Sequence, residues 1–273
     1  MNKKLLAAAV ASTFAVPGVV AADLTVYGAV KPRITVTDSN ITMSDGGSRF
    51  GFKSSKDMGN GNTVAGVIEA AFDVSEGTTK SAKTNRLGNI KFSGDWGSAT
   101  IGSQWGVMTD VEWKTCVLSG VSCAGLVGYQ GRVADSLVIR GPSIGPLAIA
   151  LQAEADGSDL AGWAISTGLD LGTISVTVAY RDDDSDTTTQ VAATTNVAGV
   201  SLAASYASLG SGADGSMVYA NVSGIKLQYS DQGGTTNVGA NYNVDLGGVT
   251  MRLGVYKTEP AETAVFVQWM YSL

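Results

Sequence analysis

The chain has 273 residues, 35 of them glycine, and a formal net charge of −6. It contains no histidine, which excludes Ser-His-Asp and Cys-His catalysis and histidine-ligated zinc sites. No paired-carboxylate motif and no run of basic residues stands out, so the sequence predicts neither an enzyme, a metal or cofactor site, nor a nucleic-acid partner.

The N-terminus has the three parts of a secretory signal peptide. Lys3 and Lys4 supply the positive region, residues 5–16 form an uncharged apolar run, and residues 20–22 offer small side chains to a signal peptidase. The apolar run is too short to remain as a membrane anchor. The sequence therefore predicts a cleaved signal over residues 1–22, export, and a mature chain that spans residues 23–273.

After residue 22, apolar and polar residues alternate with a period of two, and no segment has the length of a transmembrane helix. Residues 173–181, 237–244 and 249–257 each place apolar side chains on one face and mostly polar ones on the other. A soluble β-sandwich shows the same alternation, so the pattern alone leaves that alternative open. Export, segments of about ten residues and large charged side chains at mid-strand favour a membrane barrel with lipid outside and water inside.

The connections between the predicted strands fall into two classes. Seven are tight, glycine-containing turns, and eight are longer or more polar, among them residues 38–47, 75–83, 106–131 and 182–186. Seven turns and eight outer loops join sixteen strands, and the sheet must close because lipid leaves no backbone group unpaired. The prediction is an all-β fold, a sixteen-stranded antiparallel transmembrane β-barrel.

The only two cysteines, Cys116 and Cys123, lie in the one long stretch that does not read as a strand, at about 106–131. Export permits disulfides, so the two residues are predicted to pair, and two free thiols are the alternative. A metal site would need further ligands, and no histidine is present to supply them.

Three segments carry a resemblance to the general porins of Gram-negative outer membranes. They are SRFGFKSSKDMGNG at residues 48–61, NRLGNIKFSGDWGSATIGSQWG at 85–106 and GRVADSLVIRGPSIGPLAIALQAEA at 131–155. The resemblance implies a homotrimer of barrels whose third loop, here about 106–131, folds inward and narrows the pore. A bond between Cys116 and Cys123 would then either hold the shape of this constriction or only stabilise an exported loop.

The resemblance implies a general diffusion porin: a water-filled channel in the outer membrane, surrounded by lipid and lipopolysaccharide, for passive transport of small hydrophilic solutes and ions. Two alternatives stay open: an outer-membrane enzyme, which the missing histidine disfavours, and an outer-membrane or secreted β-rich structural protein or adhesin without channel activity. The predicted pore-lining and constriction residues are Arg33, Arg49, Lys53, Glu69, Asp110, Glu112, Arg140 and Arg252.

A mild preference for anions follows from the charges on the predicted inner face. Eight basic residues, the five above together with Lys31, Arg181 and Lys226, stand against Glu69, Glu154 and Asp170 on the wall and the two acids of the third loop. The resemblance is incomplete at Ser103 and Val138, where the family often has arginine, and at Leu273, where it usually has phenylalanine. The sequence does not predict which solute permeates.

Overall fold

A computed structural model of the chain describes residues 23–79, 85–116, 126–157 and 159–273. The predicted signal at residues 1–22 and the predicted disulfide partner Cys123 lie outside these ranges. Within them, no helix is both long enough and apolar enough to cross a membrane.

Most of the regular structure in the described ranges is β-strand. The strands are β1 Asp23–Val30, β2 Pro32–Val36, β3 Ile41–Asp45, β4 Arg49–Gly59, β5 Asn62–Asp73, β6 Thr78–Thr79, β7 Asn85–Gly94, β8 Gly97–Trp105, β9 Arg132–Arg140, β10 Leu147–Asp156, β11 Asp159–Asp170, β12 Ile174–Asp183, β13 Thr187–Val197, β14 Val200–Leu209, β15 Asp214–Val222, β16 Ile225–Gln232, β17 Thr235–Asp245, β18 Val249–Thr258 and β19 Thr263–Ser272. A short helix, α1 at Thr109–Thr115, lies between β8 and β9.

These nineteen segments of the described ranges build sixteen barrel strands. β1 and β2 are two halves of one strand, interrupted at Lys31, and β3 and β4 are two halves of the next. β6 is a two-residue segment that pairs with the end of β5. Subtracting the two interruptions and β6 from nineteen leaves sixteen, and β19 pairs with both β1 and β2, which closes the sheet. The predicted antiparallel barrel is confirmed.

The outer face of the barrel is apolar and exposed, whereas the inner face carries small or polar side chains. On β12, Ile174 and Val178 are 45% and 38% exposed, while Ala179, which points to the other face, is 1% exposed. A protein that folds in water buries its large apolar side chains rather than arranging them in exposed rows. The predicted inverted arrangement, with the large apolar side chains on the outside of the barrel, is therefore present.

Tight turns lie at one end of the barrel and longer connections at the other. Ala198-Gly199 joins β13 to β14 and Ser223-Gly224 joins β15 to β16, and all four residues have positive φ angles, 50° and 81° in the first pair and 50° and 88° in the second. Two consecutive residues with positive φ make the I′ hairpin turn, whose twist matches that of the flanking strands. The glycine-containing turns of the sequence therefore mark this end correctly.

The predicted outer loop at residues 38–47 is wrong, because half of it is strand β3. Ile41 and Met43 face outward and β3 pairs with β2, so the connection shrinks to residues 37–40. The glycines that suggested a loop instead interrupt the strand, where Lys31 N–H donates to Ser48 Oγ at 2.8 Å and Gly46 N–H donates to the Lys31 carbonyl at 2.7 Å. The interruption places Lys31 and Arg49 side by side on the inner wall.

Candidate functional site

The segment between β8 and β9 packs against the inner wall of the barrel in both of its described parts, residues 106–116 and 126–131. Val107, Met108, Val111 and Leu126 are buried. They form a cluster with inward side chains of β9 to β14, namely Val138, Ala150, Ala164, Ala179, Ala192 and Ala207. Because these wall residues are small, α1 can approach the strands closely and contacts β12 to β15. Residues 117–125 lie outside the described ranges.

Hydrogen bonds complement this apolar contact. The N–H of Val107 donates to Gln152 Oε1 at 2.8 Å, and the hydroxyls of Thr115 and Ser205 lie 2.6 Å apart. Both wall residues point inward from β10 and β14. The described parts of the segment are thus held to one half of the wall by apolar burial and by specific polar contacts.

Glu112 ties the outgoing and returning parts of the segment together. Its carboxylate accepts hydrogen bonds from the N–H of Gln130 at 2.7 Å and of Gly131 at 3.3 Å, and the residue is only 1% exposed. Burial raises the pKa of Glu112, while the two backbone N–H groups act in the opposite direction. The sequence placed Glu112 among the pore-lining residues; its position here is inside the packed segment, away from the lumen.

Asp110 and Arg140, both in the predicted constriction set, form an ion pair. Arg140 Nη1 lies 2.8 Å from Asp110 Oδ2, and the same oxygen accepts a hydrogen bond from Ser166 Oγ at 2.5 Å. Both side chains are partly exposed to the lumen. Because the two charges compensate each other, this side of the lumen has little net charge.

Six basic side chains, which we call the basic belt, lie on the inner wall from β18 through β1 and β2 to β9. They are Lys31, Arg33, Arg49, Arg86, Arg132 and Arg252. Lys31 interacts electrostatically with Arg49, Arg86 and Arg252, and Arg132 interacts with Arg49 and Arg86. The belt therefore forms one continuous region of positive charge on the part of the wall that α1 leaves uncovered.

Two acidic residues accompany the basic belt. Glu69 is buried and forms ion pairs with Arg86 and, at 3.4 Å, with Arg49. Asp45 interacts electrostatically with Lys31 and Arg33, and its carboxylate accepts the N–H groups of the following turn at 2.9 Å and 3.1 Å. Six basic residues against two acids leave the belt with an excess of four positive charges.

Arg33, Arg49, Glu69 and Arg252 of the predicted set meet in this region. Lys53 lies further along the same inner face, with its Nζ 5.5 Å from the centre of the Tyr27 ring. Asp110 and Arg140 belong instead to the side of the wall that α1 covers. The structure thus brings together four of the predicted residues and distributes the others.

Sequence reasoning missed Arg86 and Arg132. A bulge between Glu69 and Ala70 shifts the register against β7 by one residue, so simple alternation misplaces the side chain of Arg86. Arg132 is the first residue of β9, where alternation has not yet begun; its guanidinium lies 5.0 Å from the centre of the Trp105 ring. Both arginines lie in segments that resemble general porins, and this position was the signal in the sequence that could have identified them as wall residues.

The chemistry of this lumen is electrostatic. In the part of the chain that the structure describes, no group of three or more acidic or cysteine side chains is arranged to hold a metal ion. A region dominated by guanidinium groups attracts anions and repels metal cations.

A family model described as Gram-negative porin matches residues 7–273 of the chain. The chain belongs to the Gram-negative porin family. The predicted function at this level is confirmed: the porin is an outer-membrane channel for passive diffusion. No curated protein sequence matches it.

Solved porins share the fold of this porin at low sequence identity. The anion-selective porin from Comamonas acidovorans has a TM-score of 0.74 and 15% identity, covering 93% of this chain and 100% of that one. OmpF of Salmonella typhi, in complex with daunomycin, has a TM-score of 0.73 and 17% identity, covering 92% and 97%. An engineered variant of the Rh. blastica porin has a TM-score of 0.71 and 15% identity, covering 92% and 100%. At these identities the likeness establishes the fold and assigns no residue roles.

Proposed function

We propose that this porin is a general diffusion channel for small hydrophilic solutes that favours small anions. The observation that carries the proposal is the excess of positive charge in the basic belt. On the facing side of the lumen, Asp110 is compensated by Arg140, and Glu112 is buried among backbone N–H groups. Charges at the narrow part of a pore change the energy of a passing ion most. The interaction with a more distant charge is largely screened beyond about 8 Å at physiological salt.

Two features of the sequence argue against an anion preference: the net negative charge of the chain, and the absence of arginine at Ser103 and Val138. The positions of the residues concerned weaken both arguments. The net acidic charge of the chain arises partly in outer connections such as residues 184–186, between β12 and β13. Val138, where the family often has arginine, packs under the third loop, and Ser103 pairs with Gly88. Arg86 and Arg132 supply the positive charge that these two positions lack. The Comamonas relative, which shares the fold, is itself described as anion-selective.

The proposal includes the assembly and surroundings of the channel. The porin is a homotrimer in the outer membrane, with lipid and lipopolysaccharide against its exposed apolar face. Support for three copies comes from the family resemblance, and support for the lipid contact comes from the exposed rows of valine, leucine, isoleucine and tyrosine.

Planar-bilayer recordings test the channel and its assembly together. In a KCl gradient, we expect the reversal potential to be shifted from zero toward the equilibrium potential of chloride, because the belt concentrates chloride in the pore. One insertion event should close in three equal steps, one for each barrel. A reversal potential shifted toward the equilibrium potential of potassium, at low and high salt alike, would contradict the anion preference. Closure in a single step would contradict the trimer.

We also propose that residues 1–22 are removed and that Cys116 and Cys123 pair. Cys116 directly follows α1, and Cys123 lies outside the described ranges. Closing so short a ring restricts the unfolded states by roughly 2–3 kcal/mol. Intact-mass analysis of protein from membranes should show a chain beginning at Asp23 that accepts two alkyl groups only after reduction. Two alkylated thiols without reductant, or a retained signal, would contradict the corresponding proposal.

A further inference from the structure

An exposed tryptophan lies on the segment that packs against the inner wall. Trp113 of α1 is 45% exposed, whereas most exposed large hydrophobic side chains of the described ranges lie on the outer face or in turns. Val111, Glu112 and Thr115 are among the buried residues of α1 and mark the side of the helix that faces the wall. Trp113 therefore presents part of its indole to the lumen, where an apolar surface in contact with water is unfavourable until something covers it.

A second tryptophan holds the Trp113 ring in place. The centres of the Trp113 and Trp105 rings lie 4.7 Å apart, and the two planes meet at 73°. Such edge-to-face pairs are stabilising beyond the area that they bury. Trp105 is the last residue of β8, and the guanidinium of Arg132, the first residue of β9, lies 5.0 Å from the centre of its ring. The Trp113 indole is thus oriented by a partner that is itself fixed in the wall, so a solute that contacts it incurs little cost for ordering it.

Hydrogen-bonding groups accompany the exposed indole. Asp110 precedes Trp113 by three residues, so the two side chains are neighbours on the surface of α1. The Asp110 carboxylate is paired with Arg140, and their side chains are 27% and 40% exposed, respectively. Lys114 is exposed as well. Because a carboxylate accepts hydrogen bonds while guanidinium and ammonium groups donate them, an apolar surface here lies beside both donors and acceptors.

We propose that Trp113, together with the Asp110–Arg140 pair, forms a weak binding site for uncharged sugars in their ring form, the hexopyranoses. One side of a pyranose ring carries C–H groups that can lie on the indole, and the hydroxyls at its edge both donate and accept hydrogen bonds. An aromatic hydrocarbon lacks the hydroxyls, and an open-chain polyol lacks the flat apolar side. This inference rests on the proposed diffusion of small hydrophilic solutes and names one class that the channel favours.

A weak site on the third loop has a measurable consequence for permeation. A solute that is stabilised where the lumen is narrowed reaches a higher local concentration there and therefore enters faster. The stabilisation must remain small, because a solute that is bound too tightly does not leave the pore. We therefore expect pyranoses to permeate faster than open-chain polyols of nearly the same mass.

Swelling of proteoliposomes tests the site, with D-glucose and sorbitol as the probes. The two have the same number of carbon atoms, and sorbitol lacks the ring. The ratio of their initial swelling rates is measured, because a change in pore width alone affects two solutes of similar size alike. Trp113→Leu keeps an apolar side chain without a flat face and should lower the glucose-to-sorbitol ratio by roughly fivefold, the factor expected for about 40 Å² of C–H surface that is no longer covered. Trp113→Phe keeps a flat ring and should retain most of the preference.

Trp96→Ala is the matched control and should leave the ratio unchanged, since Trp96 is also 45% exposed but lies in the tight turn between β7 and β8. If both solutes enter and Trp113→Leu does not change the ratio, the sugar site is overturned and general diffusion stands. An equal fall in Trp113→Leu and Trp113→Phe, or in Trp96→Ala, would also overturn the site, because a flat face at position 113 would then not set the ratio. Failure of both solutes to enter would overturn the proposed diffusion of hydrophilic solutes and this inference with it.

Discussion

Replacing Glu112 with alanine should release the third loop from the wall and make the channel noisier and more conductive. The Glu112 carboxylate is the acceptor for two N–H groups on the returning part of the loop, at Gln130 and Gly131. Glu112→Ala leaves both donors without this acceptor, at a cost of roughly 1–3 kcal/mol for each buried group. The remaining polar contacts of α1 with the wall, from Asp110 to Ser166 and from Thr115 to Ser205, hold the outgoing part. They do not replace the two hydrogen bonds that the returning part loses, so that part can shift.

Single-channel recordings measure this effect as a larger mean open conductance and as greater current variance in the open state. Glu112→Gln is the informative second variant, because its amide keeps one acceptor oxygen and should give an intermediate effect. Glu76→Ala is the matched control, since Glu76 is an exposed acid in another connection. If Glu112→Ala has the same mean open conductance and the same open-state current variance as the unmodified porin, the carboxylate does not hold the loop.

The strands and turns of this porin were predictable because their signals are local. Outward Ile174 and Val178 alternate with small or polar residues, and Ala198-Gly199 is a turn that two positive φ angles require. Each signal occupies only a few consecutive residues and repeats along the chain. Counting turns therefore gave sixteen strands without any knowledge of tertiary contacts.

The features that the sequence did not predict depend on contacts between distant residues. The bulge at Glu69 determines which way Arg86 points, and no local pattern announces a one-residue shift. Glu112 was predicted to line the pore, because no local pattern shows that the N–H groups of Gln130 and Gly131 lie against its carboxylate. β3 was missed because five alternating residues beside a glycine pair are too few to distinguish a strand from a loop.

Opposite substitutions in the Asp110–Arg140 pair should move the ion selectivity in opposite directions. Arg140→Ala leaves the Asp110 carboxylate uncompensated in the lumen, which favours cations. Asp110→Asn leaves the Arg140 guanidinium uncompensated, which favours anions. A unit charge about 4 Å from a permeating ion changes its energy by about 1 kcal/mol in water-like surroundings, with opposite signs for an anion and a cation. Each variant should therefore change the anion-to-cation permeability ratio by up to roughly thirtyfold.

Reversal potentials in a KCl gradient measure both shifts, and the double variant completes the cycle. Because removing both partners restores the net charge, the Arg140→Ala, Asp110→Asn double variant should return close to the selectivity of the unmodified porin. Asp184→Asn is the control, since Asp184 is an exposed acid in the connection between β12 and β13 and not one of the predicted pore-lining residues. Shifts of the same sign in the two single variants would show that the pair acts through the position of α1 rather than through its charges. A large shift from Asp184→Asn would show that the mouth of the channel, and not the basic belt, sets its selectivity.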